Sequence, residues 1–147
     1  MKLVIQRVKK AKVEVVQKKI KVGEINKGIL VLVGVGRGDD FSKARVLAEK
    51  LSKLRIMADN KGKMNLSVSE TNSEVLVVSQ FTLYADTSGG RRPSFIDAAM
   101  PEDARKVIEE FVRSLRSFGL KVETGEFGSY MEISAVLDGP VTIICEL

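Results

Sequence analysis

Short apolar runs alternate with polar breaks along this chain, and the period of each run sets the element expected there. Leu3-Val4-Ile5 and Val13-Glu14-Val15-Val16 alternate or cluster as strands do. Ile20 to Ile25 continues the period of two, so a hairpin through Gln17-Lys18-Lys19 is predicted. Gly28 to Val35 is a continuous apolar run, the pattern of a central strand covered on both faces. Ala44, Leu47, Ala48, Leu51 and Leu54 recur at helical spacing and predict one amphipathic helix over residues 42–55. Asp59-Asn60-Lys61-Gly62 reads as a turn, and Met64 to Val68 as a short extended segment. Val75-Leu76-Val77-Val78 is a second buried strand, bounded by polar residues.

A second helix starts at Pro101, well placed at the first helical position, with Glu102 and Asp103 in the first turn. Val107, Ile108, Phe111, Val112, Leu115 and Phe118 form its apolar stripe, and Gly119 ends it. Lys121-Val122-Glu123, Met131-Glu132-Ile133 and Val141 to Cys145 are the closing strands, with a loop from Gly125 to Tyr130. Strands outnumber helices, the two helices sit apart, and strand and helix do not alternate regularly. That pattern predicts a mixed α/β fold: two packed, mostly antiparallel or mixed β-sheets, with two main helices on one side, in three layers α/β/β. Residues 1–147 are expected to form a single domain.

Gly34-Val35-Gly36-Arg37-Gly38-Asp39-Asp40 joins a strand to a helix and invites a dinucleotide-binding reading. The spacing fails, because the third glycine of G-x-G-x-x-G falls at Asp39, and a carboxylate there would repel a pyrophosphate. The segment reads as a glycine turn with an acidic helix start.

Composition narrows the chemistry. The 44% hydrophobic and 29% charged content fits a globular chain. No apolar run approaches the roughly 20 residues needed to cross a bilayer, and the first seven residues supply no signal-peptide core, so a cytoplasmic protein is expected. The one cysteine, Cys145, sits in an apolar run and reads as a small buried hydrophobe. There is no histidine. This excludes Ser-His and Cys-His triads and the usual zinc sites, so no metal or cofactor is expected. Catalysis is left to hydroxyls, carboxylates, lysines, backbone amides or the substrate. A net charge of +5 suits a polyanionic partner, and equally a solvated surface rich in Lys and Glu.

The most informative stretch is Ser79-Gln80-Phe81-Thr82-Leu83-Tyr84-Ala85-Asp86, where two hydroxyls and an amide stand at the end of a buried strand. With Gly90-Arg91-Arg92-Pro93-Ser94-Phe95, Asp138-Gly139-Pro140-Val141-Thr142, Gln6-Arg7-Val8 and Lys63-Met64-Asn65-Leu66-Ser67-Val68, it resembles the D-aminoacyl-tRNA deacylase family, once called D-tyrosyl-tRNA deacylases. The likeness runs in order along nearly the whole chain. One position departs: Leu137 stands where the family usually has Asn, which removes any hydrogen bond that the amide makes there.

The resemblance implies hydrolysis of the ester joining a D-amino acid to the tRNA 3′ end. Backbone N–H groups around Ser79, Gln80, Phe81 and Thr82 would hold the oxyanion. Thr82 lacks a histidine to activate it, so attack by water is expected, with help from the ribose 2′-hydroxyl as is proposed for the family. Gly139-Pro140 would be cis and would enter the active site of the partner subunit of a homodimer, braced by Arg7. There its stiff main chain would reject L-amino acids, while glycine would slip past. Phe81, Ala98, Phe127 and Met131 would line the pocket. Arg91 and Arg92, on a loop beside Gly89-Gly90, would touch acceptor-stem phosphates. Two rival readings stay open at this stage: an RNA-binding module without catalysis, and a general serine or threonine esterase.

Overall fold

The computed structural model describes residues 1–147. In chain order the elements are β1 (Lys2–Val15), β2 (Ile20–Ile25), β3 (Gly28–Gly34), α1 (Phe41–Lys53), β4 (Met57–Ala58) and β5 (Met64–Leu66). They continue with β6 (Glu74–Ser79), a 3₁₀ turn (Phe81–Tyr84), α2 (Pro101–Ser117), β7 (Val122–Thr124) and β8 (Met131–Glu146). Six strands make one mixed sheet, and β4 with β5 makes a small second one. β2 and β3 lie end to end along one edge of β1, and β8 runs along its other edge. β3 and β6 are parallel, as are β6 and β7.

The expected three layers arise because the sheet folds over itself. On β1, Leu3 and Ile5 face the helices, whereas Ala11 and Val13 face a second, smaller core. Strict alternation would keep these odd-numbered residues on one face. Lys9 and Lys10 interrupt it, both exposed, where the β1–β8 register shifts. The far half of β1, with β2 and part of β8, then covers the face of β3 and β6 turned away from the helices. Leu30, Leu76 and Val78 meet Val8, Ala11, Val13 and Ile25 there. The continuous apolar runs at residues 28–35 and 75–78 are explained by this cover on both faces.

Both helices start as the sequence implies. Asp40 caps α1 by accepting from the Lys43 N–H at 2.9 Å. Pro101 opens α2, and Gly119, with φ +79°, follows its last turn. Phe111 and Leu115 are wholly buried against the sheet, but Phe118 is exposed and leaves the stripe one residue early. Cys145 is buried, as expected.

The closing strands differ from the expectation of two separate pieces. Met131 to Glu146 is one strand, broken in register around Asp138 to Val141 and shifted again opposite Lys9. Val8 pairs with Leu137 and Gln6 with Thr142, so the Gly139-Pro140 segment bulges outward opposite Arg7. A polar, turn-like quartet inside an otherwise apolar strand reads as a stop in one dimension. Pairing to β1 on both sides carries the strand through it. No helix is long and apolar enough to cross a membrane.

Candidate active site

β6 ends at Ser79 beside Val33 of β3, and the Gln80 N–H donates to the Val33 carbonyl at 2.8 Å. The chain then turns at once into the 3₁₀ helix, whose first bond runs from the Leu83 N–H to the Gln80 carbonyl at 3.3 Å. The N–H groups of Phe81 and Thr82 precede that bond and have no acceptor within the turn. Of the four amides expected to gather around an oxyanion, only these two point clear of the ladder. The Gln80 side-chain amide donates to the Thr82 hydroxyl oxygen. A donor aimed at that oxygen is the opposite of a base withdrawing its proton.

Beside this turn lies a cleft of 730 Å³ walled mainly by apolar residues. It gathers Ser79, Gln80, Phe81, Ala98, Phe127 and Met131 from the sequence-predicted set. The Phe81 and Phe95 rings meet edge to face, 5.0 Å between centroids, and Phe81 remains 58% exposed. The opposite wall is the start of α2, with Met100, Pro101 and Ala104. Tyr130 closes one end and is 72% exposed. A Cβ at Gly125 would lie 2.7 Å from the Met131 sulfur, so that glycine lets the methionine lie against the loop.

Thr82 is exposed on the turn and does not line the cleft. Arg7, Gly139 and Pro140 lie elsewhere on the same chain. Arg7 is 8% exposed, donates from Nη1 to the Ile56 carbonyl at 2.9 Å, and donates from Nε to the Asp138 carbonyl at 3.1 Å. The same Nε lies 3.2 Å from the Asp138 carboxylate. The Gly139–Pro140 bond is cis, Gly139 has φ +132°, and both residues are exposed. Leu137, at the position of the departure, is exposed and apolar. Arg91 and Arg92 stand exposed on a loop whose base is closed by paired bonds between Asp86 and Ser94.

Two features of the site escaped the sequence reading. In the sequence Asp39 shows only as part of an acidic helix start. Its carboxylate is 4% exposed and receives the Met1 ammonium at 2.6 Å, the Gly36 N–H at 2.7 Å, Lys43 Nζ at 2.9 Å and the Tyr84 hydroxyl at 3.2 Å. Burial pushes this carboxyl up, but the hydrogen bonds from the ammonium, Lys43 and Gly36 outweigh it and hold it below the usual carboxylate range. Burial, with Asp39 beside it, pushes the Tyr84 phenol well above its ordinary value, so Tyr84 stays a donor. The carboxylate thus ties the chain start, the glycine turn and the end of the 3₁₀ turn together. A lowered carboxyl pKa adds stability that is present above the unfolded value near 3.9 and is lost as pH falls through the folded one. Asp39→Asn is expected to lower the melting temperature at pH 7, by the equivalent of about 2 kcal/mol. The gap to the parent narrows below about pH 4, and a gap independent of pH would refute the linkage. The second missed feature is Arg37, which lies in the cleft wall.

Comparison with known proteins places this geometry among relatives. The family model described as D-Tyr-tRNA(Tyr) deacylase matches residues 4–146. Proteins named D-aminoacyl-tRNA deacylase from Thermosipho africanus and Thermotoga petrophila are 54% and 53% identical over 146 residues, covering 99% of this chain and 97% of each relative. A solved structure described as c-Myc DNA Unwinding Element Binding Protein superposes with a TM-score of 0.91 at 36% identity, covering 100% of this chain and 99% of that one. A probable eukaryotic D-amino acid tRNA deacylase superposes at 0.85 with 16% identity, over 99% and 98% of the two chains, a likeness of fold.

Proposed function

Because the chain belongs to the D-Tyr-tRNA(Tyr) deacylase family, we propose that its cleft hydrolyses the ester linking a D-amino acid to the 3′ end of tRNA. The observation that carries this reading is the abrupt turn from β6 into the 3₁₀ helix. It leaves the Phe81 and Thr82 N–H groups free at the lip of an apolar cleft. Water attacks the ester carbonyl, and the oxygen that gains charge is met by these two donors. One such donor is typically worth about 10²–10³ in rate. The acyl C–O bond then breaks, the ribose oxygen takes up a proton, and free amino acid and tRNA leave. Thr82 does not act as nucleophile, since its oxygen accepts from Gln80 and no base is bonded to it. The 2′-hydroxyl of the terminal ribose helps to activate the water.

Chirality is set by a second copy of the chain. Gly139 and Pro140 sit exposed in the bulge of an edge strand and do not line the cleft of their own chain. Val136, Leu137 and Ile144 on that strand are exposed and apolar, which suits a homodimer. The Gly-Pro main chain of one protomer, held by its Arg7, walls one side of the other's cleft. An L side chain strikes this wall, and a D side chain points away from it. Arg91 and Arg92 reach toward acceptor-stem phosphates. A tRNA substrate places the enzyme in the cytoplasm.

The test is to incubate the purified protein with D-tyrosyl-tRNA, L-tyrosyl-tRNA and glycyl-tRNA. Free D-tyrosine and glycine are expected to appear well above the spontaneous rate, and L-tyrosine is not. Mass spectrometry of the quenched enzyme should find no acyl group on Thr82 or Ser79, and an adduct there would overturn attack by water. A second reading, nucleic-acid binding without catalysis, draws on the neighbour described as a DNA-element binding protein. Retention of tRNA with no release beyond the spontaneous rate would favour it.

A further inference from the structure

We propose that the Arg37 guanidinium binds the phosphate joining the terminal nucleotide of the tRNA to the one before it, seating the ester over the Phe81–Tyr84 turn. This deepens the reading above and rests on it. Arg37 is the only charged residue in the wall of the cleft, and 14 of the 20 lining residues are hydrophobic. Arg37 stands exposed beside this apolar lining, and its guanidinium has no ion pair with any acid of the chain, so it is free to meet an incoming anion. The acids that follow it in the turn are occupied elsewhere. Asp39 holds Met1, Lys43, Gly36 and Tyr84, and Asp40 caps α1. Asp97 meets Arg37 through its backbone carbonyl, which accepts the Arg37 N–H at 2.9 Å.

The main chain beneath Arg37 is fixed from both sides. Gly36 is bridged to Ala98 on one side. On the other, Gly36 abuts the Tyr84 ring so closely that a Cβ would lie 2.5 Å from Cε1. Gly38, with φ +77°, completes the turn. A guanidinium on such a base presents a planar fork suited to two phosphate oxygens. The ester itself carries no anion for it. The nearest negative charge in the substrate is the phosphate one nucleotide step from the reacting ribose. A phosphate gripped there fixes the terminal ribose relative to the free amides of the turn, so the contact orients the ester as well as adding affinity.

Three esters of D-tyrosine separate this contact from others: 3′-O-D-tyrosyl-adenosine, the corresponding ester of cytidylyl-adenosine, which adds one phosphate, and D-tyrosyl-tRNA. Arg37→Ala is expected to lower kcat/KM about 10- to 100-fold on the two phosphate-bearing esters, mostly through KM, and to leave the adenosine ester unchanged. Arg37→Lys restores part of the loss, since it keeps the charge without the fork. On tRNA, the slope of log kcat/KM against log salt flattens by about 0.7 in Arg37→Ala. Equal loss on all three esters, or no loss on any, overturns the proposal. So does a weakening of inhibition by free D-tyrosine as the sole change, because Arg37 would then hold the product carboxylate. If the parent protein cleaves none of the three esters, the deacylase reading itself fails. A parent that cleaves them with Arg37→Ala unaffected sinks this contact alone.

Discussion

Gly139→Ala is expected to lower kcat/KM on D-tyrosyl-tRNA about 100-fold and to shrink the preference for D over L, with the fold retained. At φ +132° the backbone occupies a region that L residues rarely adopt, and a Cβ would meet Val141 N and Cγ2 at 2.9 Å. The segment must shift to relieve this. A displacement near 1 Å at a surface that positions substrate costs about 10² in rate. Stability suffers less, because the segment is exposed and its neighbours in β8 stay paired to β1. Parallel deacylation assays on both enantiomers, beside a melting curve, separate the two effects. An unaltered enantiomer ratio would remove Gly139 from the selecting surface.

Gly28→Ala should show the converse, a loss of stability. A Cβ there would lie 1.9 Å from the Glu74 carbonyl oxygen, a backbone atom that cannot swing away. Gly28 and Glu74 are the first partners of the parallel β3–β6 ladder, and Val33 and Ser79 are the last. Prying that ladder open costs about 3 kcal/mol or more, roughly 10 °C in melting temperature for a chain of this size. Gly38→Ala is the control: φ is +77° but the space is open, so about 1 kcal/mol is expected. Equal melting temperatures for the two variants would mean that the contact at Gly28 relaxes freely.

The elements most legible in the sequence were those whose burial is uniform or whose ends are chemically marked. The apolar runs of β3 and β6, the cap at Asp40 and the Pro101 start of α2 all carry their signal locally. β8 reads as two strands in the sequence because its continuity comes from pairing to β1, across more than a hundred residues of sequence. The bend of β1 at Lys9-Lys10 likewise shows only as two adjacent exposed residues. For the site, the residues around Ser79 to Phe81 were readable because a strand end and a motif coincide there. Arg37 and Asp39 were not, since a glycine turn looks the same whether its charged members are solvated or face a cleft. Gly139 and Pro140 were singled out, yet one chain alone does not bring them to its own cleft.

The walls of the cleft contain no carboxylate, imidazole, thiol or amine. Those are the groups that exchange protons between about pH 4 and 9. Its own surface therefore keeps one fixed electrical character from mildly acid to mildly alkaline solution. Any rise or fall of turnover across that range belongs to the incoming molecule, whose free amino group gains or loses its proton, or to the supply of hydroxide.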